Sequence, residues 1–293
     1  MLSDEDLLRY NREGLIPGPG ETEPAFQVRA EYALHLKEEF AKRPADQNPF
    51  TAQEAGPEVF IQEVYPVTKR LFDIAPTWIP LFISNYKLSP WHGGCAWIFK
   101  LDEHAPTAAF FQLRKAFKSS ERYLAMYSRK ELIAHELAHV GRMSFEEPRY
   151  EELIAYRSAQ SGFRRWFSPI VQSSMESALF VTVVGGLFLL DFFFLTSDAY
   201  TYYLKAMWLK LIPVAMILFA LWRLQKKHRH FNACRQNLVS LLKEERKADA
   251  VIYRLSDAEI EAFAAMPPQE IGAYCAEQKA LSLRWRLLAT AYF

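Results

Sequence analysis

The stretch Tyr127–Met143, YSRKELIAHELAHVGRM, decides how this chain is read. Ser128 and Glu131 have capping-box spacing, so a helix is expected to start at about Arg129. In that helix His135 and His139 are four residues apart and share one face, where two imidazoles can grip one zinc ion. Glu136 is turned about 100° from His135, enough to reach a water at the metal without ligating it. The neighbours Ile133, Ala134, Leu137, Ala138 and Val140 are uncharged, as a buried metal helix requires.

The HExxH pattern of residues 135–139 resembles that of the zincin metallopeptidases, departing from its extended form at Gly141, where an apolar residue is usual. A glycine there suits a helix end that turns the chain back. Such enzymes need a third ligand. The metzincin position, six residues after the second His, is Phe145 here, so that arrangement fails. The gluzincin arrangement takes a Glu from a following helix, and EEPRYEELIAYRSA (146–159) offers one, with Pro148 favouring a helix start. Glu152-Leu-Ile-Ala155-Tyr156 resembles the ligand helix of membrane zinc peptidases of the CAAX prenyl protease group, with Tyr156 where that group has an acid. The resemblance spans residues 128–158. It implies Glu152 as third ligand, with Glu151 as the alternative and Glu147 behind both, and Zn2+ as the cofactor.

Farther along, composition changes abruptly. ALFVTVVGGLFLLDFFFL (178–195) carries one charge, Asp191, and at about 1.5 Å per residue reaches about 27 Å, close to the roughly 30 Å of a hydrocarbon core. After the loop 196–203 comes LKAMWLKLIPVAMILFALW (204–222). Neither segment has a polar face, so both read as transmembrane helices of a hairpin. Trp166, Phe167, Tyr200, Tyr202, Tyr203, Trp208 and Trp222 cluster near the ends as interfacial aromatics do. Arg157, Arg164 and Arg165 precede the hairpin, Arg223, Lys226, Lys227 and Arg229 follow it, and the loop has no Lys or Arg. The positive-inside bias therefore predicts both termini and the catalytic part in the cytoplasm. Asp191 and Lys210 fall at similar depth, where they either pair or are accommodated separately.

The 293 residues carry a formal charge of +1, which excludes a nucleic-acid binder relying on a basic face. The aromatic content of 15% excludes a disordered chain. Cys95, Cys234 and Cys275 form no CxxC pair and read as reduced thiols, and the acidic start MLSDEDLL is unlike a secretory signal. The fold class expected is α+β: an N-terminal helical segment (1–45), a zincin-like catalytic domain (46–165) with a small β-sheet, the HExxH helix and the Glu helix, the hairpin (178–222), and C-terminal helices (223–293) packed on the catalytic domain. Strands are expected at 59–67, 78–86, 95–102 and 108–117, the last also compatible with a helix. Helices are expected at 119–127, 129–141, 148–165, 224–247, 256–265 and 268–290, with Ser256 and Glu259 making a second capping box.

Several other residues are weaker candidates. His92 and His104 sit in turns, and His228 and His230 lie in a basic juxtamembrane stretch that faces lipid headgroups. Tyr123, Tyr127, Tyr150, Tyr156 and Arg142 are near enough to the motif to offer an oxyanion donor. The apolar tail LSLRWRLLATAYF is expected to dock into the fold or the cleft. Together these features lead to a membrane-anchored zinc metalloendopeptidase. His135, His139 and Glu152 hold the metal, Glu136 is the general base, an edge strand from 95–117 holds an extended substrate, and membrane-associated polypeptides are cleaved. A non-catalytic membrane scaffold or sensor, and a zinc hydrolase of non-peptide bonds, remain as alternatives. The oligomeric state is left open.

Overall fold

The computed structural model describes residues 2–42, 50, 52–100, 106–124, 127–171, 174–197 and 200–293. It is a mixed α+β structure, mostly helical. The N-terminal helices are α1 (Asp4–Arg12), α2 (Glu23–Leu34) and α3 (Leu36–Lys42), and the Ser3 and Thr22 side chains cap the first two. Two short helices, α4 (Val59–Gln62) and α5 (Tyr65–Leu71), stand where the β-branched run 59–67 reads as a strand. Pro66 at the start of α5 suits a helix opening, and burial of Ile61, Val64, Thr68 and Leu71 overrides the local β preference.

The sheet has three strands, β1 (Leu81–Ile83), β2 (Gly94–Lys100) and β3 (Thr107–Leu113), in the order β1-β3-β2. β3 is central and almost wholly buried; it pairs parallel to β1 and antiparallel to β2. β2 is therefore an edge. A small hairpin, β4 (Arg122–Tyr123) and β5 (Tyr127–Ser128), replaces the helix expected at 119–127. The motif helix α6 (Arg129–Gly141) follows at once, then α7 (Glu151–Ala155) and α8 (Gly162–Phe167). The expected helix 148–165 is thus broken into pieces. Ser128 precedes α6 but makes no side-chain cap; Glu131 is buried and pairs with Arg164 at 3.0 Å instead.

Next come α9 (Ser174–Thr196), α10 (Tyr200–Ala206) and α11 (Leu211–Leu242). Two helical stretches, Met175–Thr196 and Thr201–Leu242, are long and apolar enough to cross a membrane, and their most apolar 18-residue windows have mean hydropathies of 2.4 and 1.9. Their apolar side chains face outward: Phe188 is 69% exposed and Trp222 61%. Asp191 and Lys210 meet across the pair at 3.0 Å. α11 runs unbroken from the second apolar segment into the body, where Leu224, Phe231, Cys234 and Leu238 are buried.

The chain ends with α12 (Glu245–Tyr253), α13 (Asp257–Ala265), α14 (Pro268–Gln278) and α15 (Leu283–Tyr292). The Ser256–Glu259 capping box is present. The tail docks into the body, not the cleft: Trp285, Leu287 and Leu288 are buried, and the Tyr292 hydroxyl donates to Asp73 and accepts from Asn11, both at 2.9 Å. One hydrophobic core runs from Leu7 and Phe26 through β3 and α6 to Phe263 and Trp285.

Candidate metal centre

α6 buries Ile133, Ala134, Leu137, Ala138 and Val140, and this fixes the direction of the opposite stripe. The Nε2 atoms of His135 and His139 converge to 3.2 Å. The Glu152 carboxylate, from the first turn of α7, lies 3.6 Å from each of them through its two oxygens. The three side chains form a group that can hold a metal ion. Bonds of about 2.1 Å at tetrahedral angles require donor separations of about 3.4 Å, and the observed triangle fits.

Glu151 has a different place. Its Oε1 lies 3.0 Å from His139 Nδ1 and its Oε2 accepts from Arg142 Nε at 2.7 Å. A carboxylate only accepts here, so Nδ1 carries the hydrogen and Nε2 is turned to the triangle. Glu151, the alternative third ligand, instead hydrogen-bonds and orients His139. Glu147 is also set aside, because it accepts from the Asp257 backbone N–H.

Arg142 ends α6 fully buried. Besides Glu151 it donates to the carbonyls of Tyr253, at 2.6 Å, and Leu255, at 2.9 Å. The Tyr253 hydroxyl in turn donates to the Ala138 carbonyl at 2.8 Å. A Cβ on Gly141 would lie 2.0 Å from that hydroxyl, which is the physical reason for glycine there. Asp257 accepts from the backbone N–H groups of Arg149 and Tyr150, at 2.9 and 3.3 Å, just before α7. The C-terminal helices thus hold both helices of the candidate site from behind. Sequence offered no signal for Tyr253, Leu255 or Asp257; for Glu151 the signal was a second acid beside the first, which cannot face the same way.

Glu136 points to the sheet edge, where its Oε2 accepts from the Ala96 N–H at 2.8 Å. Burial pushes its carboxyl above the usual range, against the pull of His139 and the Ala96 N–H. Burial, with His139 and Arg164, lowers His135 to about 3. At His139 burial opposes the charge, but the Glu151 hydrogen bond and the charges of Glu151, Glu136 and Glu152 outweigh it and raise the imidazole to about 9. Glu151 is held below its ordinary value: burial works against this, and Arg142 and His139 prevail.

Two cavities flank Glu136. The larger, about 690 Å³, is bordered by Ala96, Ile98, Lys100, Glu136, His139 and Met143. The smaller, about 260 Å³, includes Gly94, His135, Glu136 and Tyr156. Tyr156 packs its ring 4.5 Å from that of His135. The other oxyanion candidates are placed elsewhere: Tyr123 donates to the Pro90 carbonyl and Tyr150 to Glu261. The side chain of Tyr127 and all of His104 lie outside the described residues. His92 pairs with Ser89 at 2.8 Å, and His228 stacks on Trp166. No protein-family model, curated protein or solved structure matches the chain.

Proposed function

We propose that the protein is a membrane-anchored zinc-dependent metalloendopeptidase acting on membrane-associated or membrane-proximal polypeptides. The observation that carries this reading is the donor triangle of His135, His139 and Glu152, with a half-buried carboxylate, Glu136, beside it and the edge strand β2 across from it. Two imidazoles and one carboxylate are a catalytic zinc set. Zinc bound there supplies Lewis acidity, which acidifies a water and polarises a carbonyl. Glu136, with Oε2 held by Ala96, takes the water's proton at Oε1 and returns it to the departing amine nitrogen. Its raised pKa makes it a stronger proton acceptor than an ordinary carboxylate. Among the described tyrosine candidates, Tyr156 is the one whose ring lies against His135 and shares a cavity with Glu136, which suits it to steady the developing oxyanion.

Peptide is favoured over a non-peptide substrate by β2. Ala96 turns its N–H away from β3, and strand alternation turns Ile98 and Lys100 the same way. A substrate strand can add along that edge and lie past the metal. Anchoring by α9 and α11 rests on their outward apolar faces, and the cytoplasmic side on the basic flanks already named. α8 adds Phe163 and Trp166, both exposed, beside Arg164 on the metal helix's own ion pair. The test is Glu136→Gln beside His135→Ala in purified chain with a peptide library. The first keeps zinc and loses about 10²–10⁴-fold in hydrolysis; the second loses both. A correctly folded wild type that binds no zinc overturns the reading.

A further inference from the structure

On the far side of the 146–150 turn, at the foot of the apolar part of α11, lies a separate cavity of about 480 Å³. Phe219 and Trp222 form its apolar wall; Arg149, Arg223, Lys226 and Lys227 form its basic one, with Glu261 the single carboxylate. That carboxylate is committed to Arg149, and Arg223 is committed to Glu176 at 2.8 Å. Two cations are left over. Lys226 reaches over the Trp222 ring at 6.0 Å and has no carboxylate partner among the described residues. Lys227 is only 9% exposed, and its ammonium donates to the Arg149 carbonyl without an ion pair among the described residues. The Arg223 Nε is buried without an acceptor among the described residues. A buried ammonium without a counter-ion is costly, so the cavity is poised for an anion.

We infer that this cavity binds the phosphate of an anionic phospholipid between Lys226 and Lys227, with the glycerol and acyl end lying along Phe219 and Trp222. The inference rests on the membrane reading of α9 and α11, which puts the cavity at headgroup level. An apolar wall below a basic one is the order in which a phospholipid presents its parts; a free phosphate has no use for the former. Arg149 and Tyr150 border the cavity and lead directly into α7, so the lipid site and the third metal ligand share one short segment.

The full chain is extracted in mild detergent, and retained lipid is counted by native mass spectrometry after exchange into phosphatidylglycerol or phosphatidylcholine micelles. Wild type is expected to retain phosphatidylglycerol preferentially, and Lys227→Gln and Lys226→Gln to weaken that retention about fivefold each. Lys226 is exposed, so its variant keeps the test open if Lys227→Gln misfolds. Equal retention of the two lipids, unchanged retention in the Lys226 variant, or displacement of the lipid by millimolar inorganic phosphate overturns the inference. Carbonate washing of membranes separates the two failures. A chain that stays in the pellet without lipid preference refutes only this site, whereas a chain released into the supernatant refutes the membrane reading and this inference together.

Discussion

Glu259 in the C-terminal helices and Glu152 at the candidate metal centre are both acids set beside cationic or ionisable groups, yet their surroundings differ in kind. Each Glu259 oxygen is saturated: Oε2 accepts from the Ser256 N–H at 2.7 Å and Arg284 at 2.8 Å, and Oε1 from Arg284 at 2.7 Å and the Trp285 indole at 2.9 Å. Burial works against the charge there, but Arg284 and these donors keep the carboxyl below its usual range. Glu152 instead faces two imidazole nitrogens at 3.6 Å, beyond hydrogen-bond length, and those nitrogens crowd each other at 3.2 Å. Three donor atoms brought to ligand spacing, with a single proton at His139 Nε2 to reconcile them, make a group that can hold a cation. A fully reconciled carboxylate marks scaffold.

The largest effect expected from this contrast is on stability. Glu259→Ala leaves the Arg284 guanidinium buried without its counter-ion and should cost about 3–5 kcal/mol in denaturant or thermal unfolding. Glu152→Ala in the metal-free protein removes a side chain 40% exposed and should change stability by no more than about 0.5 kcal/mol, while zinc binding is lost. Equal losses in the two variants would break the comparison.

Between the two extremes stands Glu151, which is saturated like Glu259 but serves the site. Glu151→Gln keeps its shape and weakens the grip on His139 Nδ1, so zinc affinity measured against a competing chelator should fall about 10–100-fold with little change in fold. A complete loss of zinc would make Glu151 a ligand, and no loss would make it scaffold.

How much of this was legible follows from how far each contact reaches along the chain. The 129–141 helix and its His135/His139 face depend on spacing within one helix, and the apolar hairpin on composition within one segment, so both could be read directly. The choice between Glu151 and Glu152 depends on Arg142, and Arg142 on Tyr253 and Leu255, more than a hundred residues away; no local pattern carries that. The same holds for 59–67 and 119–127. Each has a local preference that the core overrode, the first into α4 and α5 and the second into a hairpin leading straight to α6.

Gly141 turns that long reach into an experiment. Gly141→Ala drives a methyl into the Tyr253 hydroxyl and should destabilise the chain by about 1–3 kcal/mol. Tyr253→Phe removes the obstructing oxygen along with its bond to Ala138, so the double variant should be less destabilised than the sum of the singles by at least about 0.5 kcal/mol. Strict additivity would mean that α12 does not brace the metal helix.

The pH dependence of metal binding, by its sign, separates the two histidines. His135, lowered to about 3, is neutral at any ordinary pH and has no proton to give up. His139, raised to about 9, holds a proton in the metal-free folded state that an unfolded histidine sheds near 6.5. Its contribution to metal-free stability is therefore complete below about 6.5 and is lost as pH rises through about 9. Nδ1–H stays on Glu151, so zinc must displace the hydrogen at Nε2, and the cost falls as pH rises. Affinity should climb about tenfold per pH unit between 7 and 9 and then level off. In Glu151→Gln the carboxylate that supports the proton is gone, so the plateau should begin at lower pH even though the plateau itself is weaker. A flat profile from 7 to 9 in the wild type would mean that Glu151 orients His139 without charging it, and would reduce the Arg142–Glu151 pair to the same saturated kind as Arg284–Glu259.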